Sequence, residues 1–288
     1  FGTGRFNISA VSPTCGNIGD SNCGGHFGAQ LKYAGFDHLV ITGSSPVPVY
    51  LKITNDRIEI RDARHLWGKD TWDTQLALKK EMGDDRLQVA AIGVAGENRV
   101  RFASVMTGPK DAAGRTGMGA VMGAKNLKAL AVRGTKDVVV AHPKELLSYY
   151  KKELDDLMSR KWIKALGRLG TPLLFGIAHQ GGWRGGQPMP GGEVGDRGKA
   201  LYAEHLLPYS VGMSACTSCG AHCRHRHLIR EGKFGSFSGE GPEYGAISGI
   251  GMELGNFDME TVVYLSDRCN RLGMDVTQLG YMINFAME

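Results

Sequence analysis

The chain has 288 residues, 42% of them apolar, and can therefore bury one large core or two ordinary ones. Its 34 basic and 29 acidic residues are scattered and leave a net charge of +5, which gives no electrostatic footprint for nucleic-acid binding. The sequence has no run near the roughly 18 apolar residues of a membrane span, and half of its six cysteines are crowded into one short segment rather than spread as a disulfide framework, so we expect a soluble, cytoplasmic protein.

The first half of the chain is predicted to consist of strands separated by turns. Residues 49–54 and 58–61 are β-branched runs joined at Asn55 and Asp56, a good hairpin turn pair. A helix is predicted over residues 69–82. Further strands are predicted over residues 39–43, 88–92, 101–106 and 127–133.

The second half is predicted to be helical. From Pro143, a favoured first helical residue, apolar side chains recur at steps of three and four as far as Met158, which indicates one amphipathic helix. A glycine- and proline-rich loop over residues 181–198 interrupts this half, and another helix is predicted over 259–272. The fold class is therefore α+β, with a sheet-rich part followed by a mainly helical part.

Three cysteines, Cys216, Cys219 and Cys223, form a C-x2-C-x3-C run. Thiolates are soft ligands that select iron–sulfur clusters and zinc, and this spacing suits metal ligation better than a disulfide. A fourth ligand is needed. For a zinc-binding module it would be one of three nearby histidines, His222, His225 or His227.

Two glycine-rich segments are candidates for binding an anion. Glycines at 114, 117, 119 and 123 let backbone amides converge, with charge from Arg115 and Lys125, although the segment is neither a Walker motif nor a proper G-x-G-x-x-G. Residues 22–28, preceded by Arg5, have a similar character. A tight turn or a plain loop is the alternative interpretation of each segment.

Together these segments resemble the tungsten-containing aldehyde ferredoxin oxidoreductases. The resemblance rests on Gly-Gly-His-Phe-Gly from residue 24, Ile-Glu-Ile-Arg-Asp-Ala from 58, Ala-Gly-Glu-Asn from 95 and Gly-Arg-Thr-Gly-Met-Gly-Ala-Val-Met-Gly from 114. It continues in family order through the cysteine run to Glu-Gly-Pro-Glu-Tyr from 240 and Leu-Gly-Met-Asp from 272, and so covers almost the whole chain.

The resemblance implies a tungstopterin or molybdopterin centre with two pyranopterins, a 4Fe-4S cluster and a Mg²⁺ ion. Residues 1–138 would be the β-rich pterin-binding domain and residues 139–288 the helical domain that carries the cluster cysteines, each incomplete. The carbonyls of Asn22 and Ala112 would hold Mg²⁺, and Cys216, Cys219 and Cys223 would bind the cluster. The implied pterin-binding residues are Arg5, Asn22, Gly24, Gly25, Ala112, Gly114, Arg115, Asn270, Gly273 and Asp275.

The implied reaction is the oxidation of an aldehyde to a carboxylic acid, with electrons passing to ferredoxin or an iron–sulfur electron-transfer subunit. Neither the substrate nor the oligomeric state, a homo-oligomer included, follows from the sequence. The glutamate that the family places after Tyr244 is Gly245 here, so Glu243 is the candidate acid–base group, with a structural carboxylate in a turn as the alternative. Asn270 replaces a family aspartate, and Asp111 replaces a basic residue, which requires Mg²⁺ or Lys110 to compensate its charge near phosphates.

Both ends of the chain suggest a longer protein, because it begins at Phe1 without an initiator methionine and stops at Glu288 inside an apolar, helix-like segment. The family's fourth cluster cysteine would come from a third domain, so this chain alone is expected to hold neither cofactor well. A non-catalytic electron-transfer or scaffold homologue is the other alternative, and Gly245 and the missing third domain favour it.

Overall fold

The computed structural model describes residues 4–182 and 194–288, so most of the predicted loop over 181–198 lies outside the described residues. The strands are β1 (Phe6–Val11), β2 (Ile18–Cys23), β3 (Val49–Thr54), β4 (Arg57–Asp62), β5 (Gln88–Ile92), β6 (Val105–Thr107), β7 (Asp111–Ala113), β8 (Leu127–Arg133), β9 (Ser210–Ser214), β10 (Arg224–Ile229) and β11 (Phe237–Glu240).

The α-helices are α1 (Phe27–Tyr33), α2 (Thr71–Met82), α3 (Val94–Glu97), α4 (Met118–Ala124), α5 (Pro143–Ser159), α6 (Lys161–Leu169), α7 (Leu173–Gln180), α8 (Tyr244–Ala246), α9 (Met259–Leu272) and α10 (Val276–Met287). Short 3₁₀ segments cover Gly195–Leu201, Ala203–Tyr209 and Met252–Leu254, and Ile247–Gly251 is a π-helix.

The chain forms two compact units. The first contains residues 4–141 together with Cys269–Asp275, and the second contains His142–Arg268 and Val276–Glu288. The boundary between two domains that the sequence analysis places after residue 138 stays a prediction. Within the described ranges, no helix is long and apolar enough to cross a membrane.

The first unit is built on a six-stranded sheet in the order β4-β3-β8-β5-β6-β7, with β3 and β8 parallel and the other pairs antiparallel. Alternate residues of β8 serve two cores: Leu130 and Val132 pack with α1 and α4 residues, whereas Ala129 and Ala131 pack with Leu78 of α2. The central strands are therefore buried on both faces, which explains their almost continuous apolar sequence.

The ends of α2 show how local sequence sets a boundary. The Asp70 carboxylate accepts a 2.7 Å hydrogen bond from the Asp73 amide at the N-terminus, and Gly83 adopts a left-handed conformation with φ of 63° after the last turn. The predicted helix over 69–82 is confirmed from Thr71 onward.

A buried ion pair joins three segments of the first unit. Lys128 of β8 is 0% exposed and Glu97 of α3 is 5% exposed at their side chains, and the two are paired. Lys128 Nζ also donates to the Lys69 carbonyl at 2.7 Å, and the Gly68 amide donates to both Glu97 carboxylate oxygens at 2.9 and 3.0 Å. Burial lowers the pKa of Lys128, and the hydrogen bond that Lys128 donates to Glu97 opposes that shift.

Two strand predictions in the first unit are wrong. Residues 39–43 form no strand, and Val40 is 89% exposed, because no neighbouring strand supplies main-chain partners there. Arg101 and Phe102 form a turn and Ala103 makes a single bridge to Met274, so the strand predicted over 101–106 begins only at Val105. The sequence also did not predict the antiparallel β1–β2 hairpin, whose inner face is formed by small and polar residues such as Ser21.

The second unit contains a sheet that the sequence did not predict. Strands β9, β10 and β11 form a three-stranded antiparallel sheet in the order β11-β10-β9, and β10 has the polar sequence Arg-His-Arg-His-Leu-Ile. Helices α5 and α9 are confirmed as predicted. The core of this unit includes Phe175, Leu201 and Val262. The α+β fold class is confirmed, with the correction that the helical part also contains a sheet.

Candidate functional site

The β1–β2 hairpin positions the first predicted cofactor-binding residues. Phe6 pairs with Cys23, so Arg5 and Asn22 lie beside each other at the end of the hairpin. Arg5 Nε donates to the Asn22 side-chain oxygen, and Arg5 Nη2 lies 3.3 Å from the Asn22 carbonyl. A carbonyl oxygen has two lone pairs, so this contact leaves Asn22 able to bind a cation as well.

Gly25 makes a close approach to β7. Its φ is +83°, and a Cβ there would lie 2.9 Å from Asp111 Oδ2 and 3.0 Å from Thr107 Oγ1. Gly24 and Gly25 are both buried, and β2 packs against β7, which contains Ala112. The structure therefore brings these predicted residues into one region, and a side chain at Gly25 would be both strained and crowded.

Charged side chains surround the buried Cys23 thiol in this region. Burial raises the pKa of the neighbouring Cys23 thiol to about 12, the negative charge of Asp111 adds to that shift, and the positive charges of Arg5 and Lys110 oppose it. Asp111, Arg5 and Lys110 therefore all lie near Cys23, and compensation of the Asp111 charge by Lys110 or Mg²⁺ stays a prediction.

Two more predicted residues meet across the first unit. Arg115 Nε lies 3.3 Å from Asp275 Oδ2, and the Asp275 side chain is buried while that of Arg115 is exposed. The adjacent Gly114 borders open space, since a Cβ there would meet only the Ala112 Cβ at 3.6 Å. A guanidinium beside an open glycine backbone can receive an anionic or planar group.

The segment from Asn270 to Asp275 is held by main-chain contacts within the first unit. The Thr71 hydroxyl donates to the Asn270 carbonyl at 3.0 Å, and the Ser104 amide donates to the Gly273 carbonyl at 2.8 Å. Gly273 has a φ of +75°, and a Cβ there would lie 2.8 Å from the Gly93 nitrogen. Gly93, which the sequence alone gave no reason to select, is also needed, because a Cβ there would lie 2.3 Å from the Leu272 carbonyl oxygen.

The residues of the first unit fit a phosphorylated, ring-shaped cofactor. Arg5 and Arg115 supply positive charge, Gly114 leaves room against the backbone, and Asn22 and Ala112 have the carbonyl oxygens that Mg²⁺ prefers. The chemistry of this donor set and the open glycine are the observations on which the fit rests.

The three clustered cysteines lie on one loop of the second unit. Ser214 pairs with Arg224 across β9 and β10, so the intervening residues form a hairpin loop that contains Cys216, Cys219 and Cys223. The Cys219 amide donates to the Cys216 carbonyl at 3.1 Å, which makes a tight turn around the first two thiols. Ser218 and His222 have φ of 54° and 48°, a left-handed conformation uncommon for residues other than glycine.

This loop fits an iron–sulfur cluster in the chemistry of its donors. Among residues 4–182 and 194–288, no three His, Cys, Asp or Glu side chains are arranged to hold a single metal ion. A four-iron cluster takes one thiolate at each iron, and the three cysteines of this loop would supply three of the four. The three thiols stay predicted cluster ligands.

A buried arginine joins the two ends of the cysteine loop by a hydrogen bond. The Arg224 side chain is 5% exposed, its Nη2 donates to the Ala215 carbonyl, and its Nη1 lies 3.6 Å from Glu240 Oε2. The Ser214 hydroxyl donates to Glu240 Oε1 at 3.1 Å. The only signal in the sequence for this group is a basic residue directly after the last cysteine.

Glu243, the predicted acid–base residue, precedes α8 and is hydrogen-bonded within the second unit. The Thr171 hydroxyl donates to Glu243 Oε2, and the same hydroxyl accepts a 3.1 Å hydrogen bond from the Tyr244 amide. Burial lowers the pKa of the nearby His225, and the negative charge of Glu243 is among the influences that oppose it. These contacts give Glu243 a structural place in a turn, and its acid–base role stays a prediction.

The helical segment after Gly245 packs closely against α10. A Cβ at Gly245 would lie 3.1 Å from Thr277 Oγ1, and one at Gly280 would lie 2.1 Å from the Gly249 carbonyl oxygen.

A buried carboxylate follows one turn after Gly249. Glu253 lies in the 3₁₀ segment Met252–Leu254, which contacts α10, and Asn284 lies one turn after Gly280 in α10. Glu253 is 2% exposed, and neither of its carboxylate oxygens has a hydrogen-bond partner among the described residues.

Replacing Glu253 by glutamine in the full-length protein is expected to raise the free energy of unfolding at pH 8 by about 3 kcal/mol and to leave it unchanged at pH 4. Burial raises the pKa of Glu253 from 4.5 to about 7. Between pH 4.5 and pH 7, Glu253 keeps its proton in the folded protein but releases it in the unfolded chain. The wild type therefore loses stability as the pH rises through this range.

Thermal unfolding of wild type and E253Q across this pH range measures the effect. Glu204→Gln is the matched control, because Glu204 lies on an exposed 3₁₀ turn of the same unit. An equal stability difference at pH 4 and pH 8 would contradict the prediction.

Comparison with known proteins identifies similar chains. The family model described as aldehyde ferredoxin oxidoreductase, N-terminal domain, matches residues 1–134, and the model for domains 2 and 3 of the same enzymes matches residues 146–288. The tungsten-containing aldehyde ferredoxin oxidoreductases of Pyrococcus furiosus and Thermococcus kodakarensis are 36% and 37% identical over 99% of this chain. The chain spans about half the length of these curated relatives, 47% in both cases.

Two further similarities concern other reactions. The aliphatic sulfonate oxidoreductase, WOR-like subunit, of Pyrococcus furiosus is 30% identical over 99% of the chain and 47% of its own length. A solved structure, the active site complex BamBC of benzoyl coenzyme A reductase with 1,5-dienoyl-CoA, matches with a TM-score of 0.80 and 30% identity over 99% of this chain and 45% of its own.

Proposed function

We propose a function on the premise that this chain belongs to the aldehyde ferredoxin oxidoreductase family, as the two matching family models show. The proposed reaction is the oxidation of an aldehyde to a carboxylic acid at a tungsten or molybdenum centre held by two pyranopterins. Electrons would leave through a 4Fe-4S cluster to ferredoxin or an iron–sulfur subunit. The observation that carries the proposal is the contact between Arg115 and Asp275, which joins two segments of the first unit that are each predicted to bind the cofactor.

The residues of the first unit would bind and orient the cofactor. Arg115 would offer its guanidinium to an anionic or planar part of the pterin, with Asp275 fixing its direction. Gly114 would allow the ligand to reach the backbone, and the carbonyls of Asn22 and Ala112 would hold Mg²⁺ beside the phosphates. When bound, the metal and its pterins supply the two-electron redox chemistry.

The second unit would contribute Cys216, Cys219 and Cys223 as cluster ligands and Glu243 as a proton-transfer group. The Thr171 hydroxyl donates a hydrogen bond to Glu243 Oε2, which would orient the carboxylate for this role.

Metal and cofactor analysis of the protein purified from its native host tests this function. We expect tungsten or molybdenum, iron, labile sulfide and extractable pterin, together with aldehyde-dependent reduction of ferredoxin. Iron without tungsten, molybdenum or pterin would support the non-catalytic electron-transfer or scaffold homologue instead. A colourless protein with one zinc ion would support the zinc-binding module.

The second candidate substrate class is an aromatic thioester. It is favoured by the similarity to the benzoyl coenzyme A reductase complex, which has a TM-score of 0.80. Assays with aliphatic and aromatic aldehydes on one side and with 1,5-dienoyl-CoA on the other distinguish the two candidates, because the same preparation should turn over only one class.

Replacing Asp275 by asparagine is expected to lower the tungsten or molybdenum content of the purified full-length protein about tenfold, the equivalent of one charge-assisted hydrogen bond. The loss follows because Arg115 would no longer be held by a carboxylate. Asp85→Asn, an exposed position in the same unit, is the control. Elemental analysis makes the measurement, and an unchanged metal content in D275N would remove Asp275 from the binding site.

A further inference from the structure

Arg224 occupies an unusual place relative to the cysteine loop. It directly follows Cys223 in the chain, and its guanidinium donates to the carbonyl of Ala215, which directly precedes Cys216. One buried positive charge therefore lies at the base of the loop. It is carried by the residue after Cys223 and contacts the residue before Cys216. Arginine cannot lose this charge in a protein.

The charge is held by a fixed set of contacts. Arg224 Nη1 lies 3.6 Å from Glu240 Oε2, a distance that makes an ion pair rather than a hydrogen bond. Glu240 is itself oriented by the Ser214 hydroxyl at 3.1 Å, and Ser214 is the strand partner of Arg224. The guanidinium and its counter-charge are therefore both anchored to the two strands that carry the loop.

We propose that Arg224 and Glu240 form a positioning and charge-tuning pair for the iron–sulfur cluster: Arg224 raises the reduction potential of the cluster and Glu240 moderates that effect. The inference rests on the proposed function, because it requires a cluster on Cys216, Cys219 and Cys223. Its physical basis is that a cluster gains one negative charge on reduction, so a nearby positive charge stabilises the reduced form. Burial strengthens the effect, because the Arg224 side chain is 5% exposed and water screens it little.

Removing the charge of Arg224 and removing the charge of Glu240 should shift the reduction potential of the cluster in opposite directions. In the full-length protein, Arg224→Gln keeps a donor for the Ala215 carbonyl but removes the charge, so the cluster potential should fall. Glu240→Gln removes the opposing negative charge, so the potential should rise. Arg224→Lys keeps the charge and should keep a potential close to that of the wild type.

Redox titration followed by electron paramagnetic resonance measures the potentials, with cluster iron determined on each sample. Arg226→Gln is the matched control, since Arg226 lies on the same strand but is exposed, and it should shift the potential less than R224Q. A merely structural role would change the iron content without moving the potentials in opposite directions.

The outcomes separate this inference from the function on which it rests. A wild-type protein without a cluster would overturn the proposed function. A wild-type cluster with equal potentials in R224Q and E240Q, or with both shifted in the same direction, would overturn the charge-tuning pair alone. If R224Q cannot hold its cluster, E240Q and R224K decide: a raised potential in the first and an unshifted one in the second support the pair, and any other combination overturns it.

Discussion

Replacement of Cys219 by serine is expected to lower the cluster iron of the full-length protein at least about tenfold, since loss of even an outer-shell partner of a metal ligand costs about that much. Cys219 is the middle thiol of the loop and is turned toward Cys216 by the hydrogen bond from its own amide to the Cys216 carbonyl. A serine hydroxyl is a hard, weakly acidic ligand that binds iron more weakly than a thiolate does. The visible absorbance that bleaches on reduction should disappear together with the proposed electron transfer to ferredoxin.

The control for this substitution is Cys15→Ser. Cys15 is an exposed free cysteine of the first unit. Iron and sulfide analysis of both variants, with circular dichroism to confirm folding, separates loss of a ligand from loss of the fold. Full iron content in C219S would show that the cluster uses another ligand set.

Replacement of Lys128 by methionine is expected to destabilise the full-length protein by about 3–5 kcal/mol, the usual cost of removing one partner of a buried ion pair. The carboxylate of Glu97 would then be buried without its positive partner while still accepting from the Gly68 amide, and the Lys69 carbonyl would lose its 2.7 Å hydrogen bond. Urea denaturation measures the change as a lower transition midpoint.

Two further variants identify the cause of that loss. Lys80→Met removes an exposed lysine from α2 and should change stability by less than about 0.5 kcal/mol. The double replacement of Lys128 by methionine and Glu97 by leucine should recover much of the loss, because no uncompensated charge then stays buried. A double variant as unstable as K128M would instead assign the loss to packing.

The sequence determined those features that depend on residues near one another in the chain. The helix at Pro143 and the hairpin at Asn55 and Asp56 follow from local conformational preference, and both are present. The family also followed from the sequence, because its glycine-containing turns and its particular charged and cysteine residues occur in one order along the chain. The strand predicted over 39–43 was wrong because β-propensity expresses how a side chain packs on a sheet, and no sheet reaches that segment.

Only the tertiary structure decided which distant residues meet. The contact of Arg115 with Asp275 and that of Arg224 with Ala215 and Glu240 depend on strand register and on the placement of loops, which no local pattern encodes. The buried pair of Lys128 and Glu97 was equally invisible, because each residue alone suggests an exposed charge. The sequence therefore supplied the chemistry of the candidate ligands, whereas long-range packing decided which of them pair and which are buried. Burial and distance matter because they set the strength of the electrostatic interactions between these charged side chains.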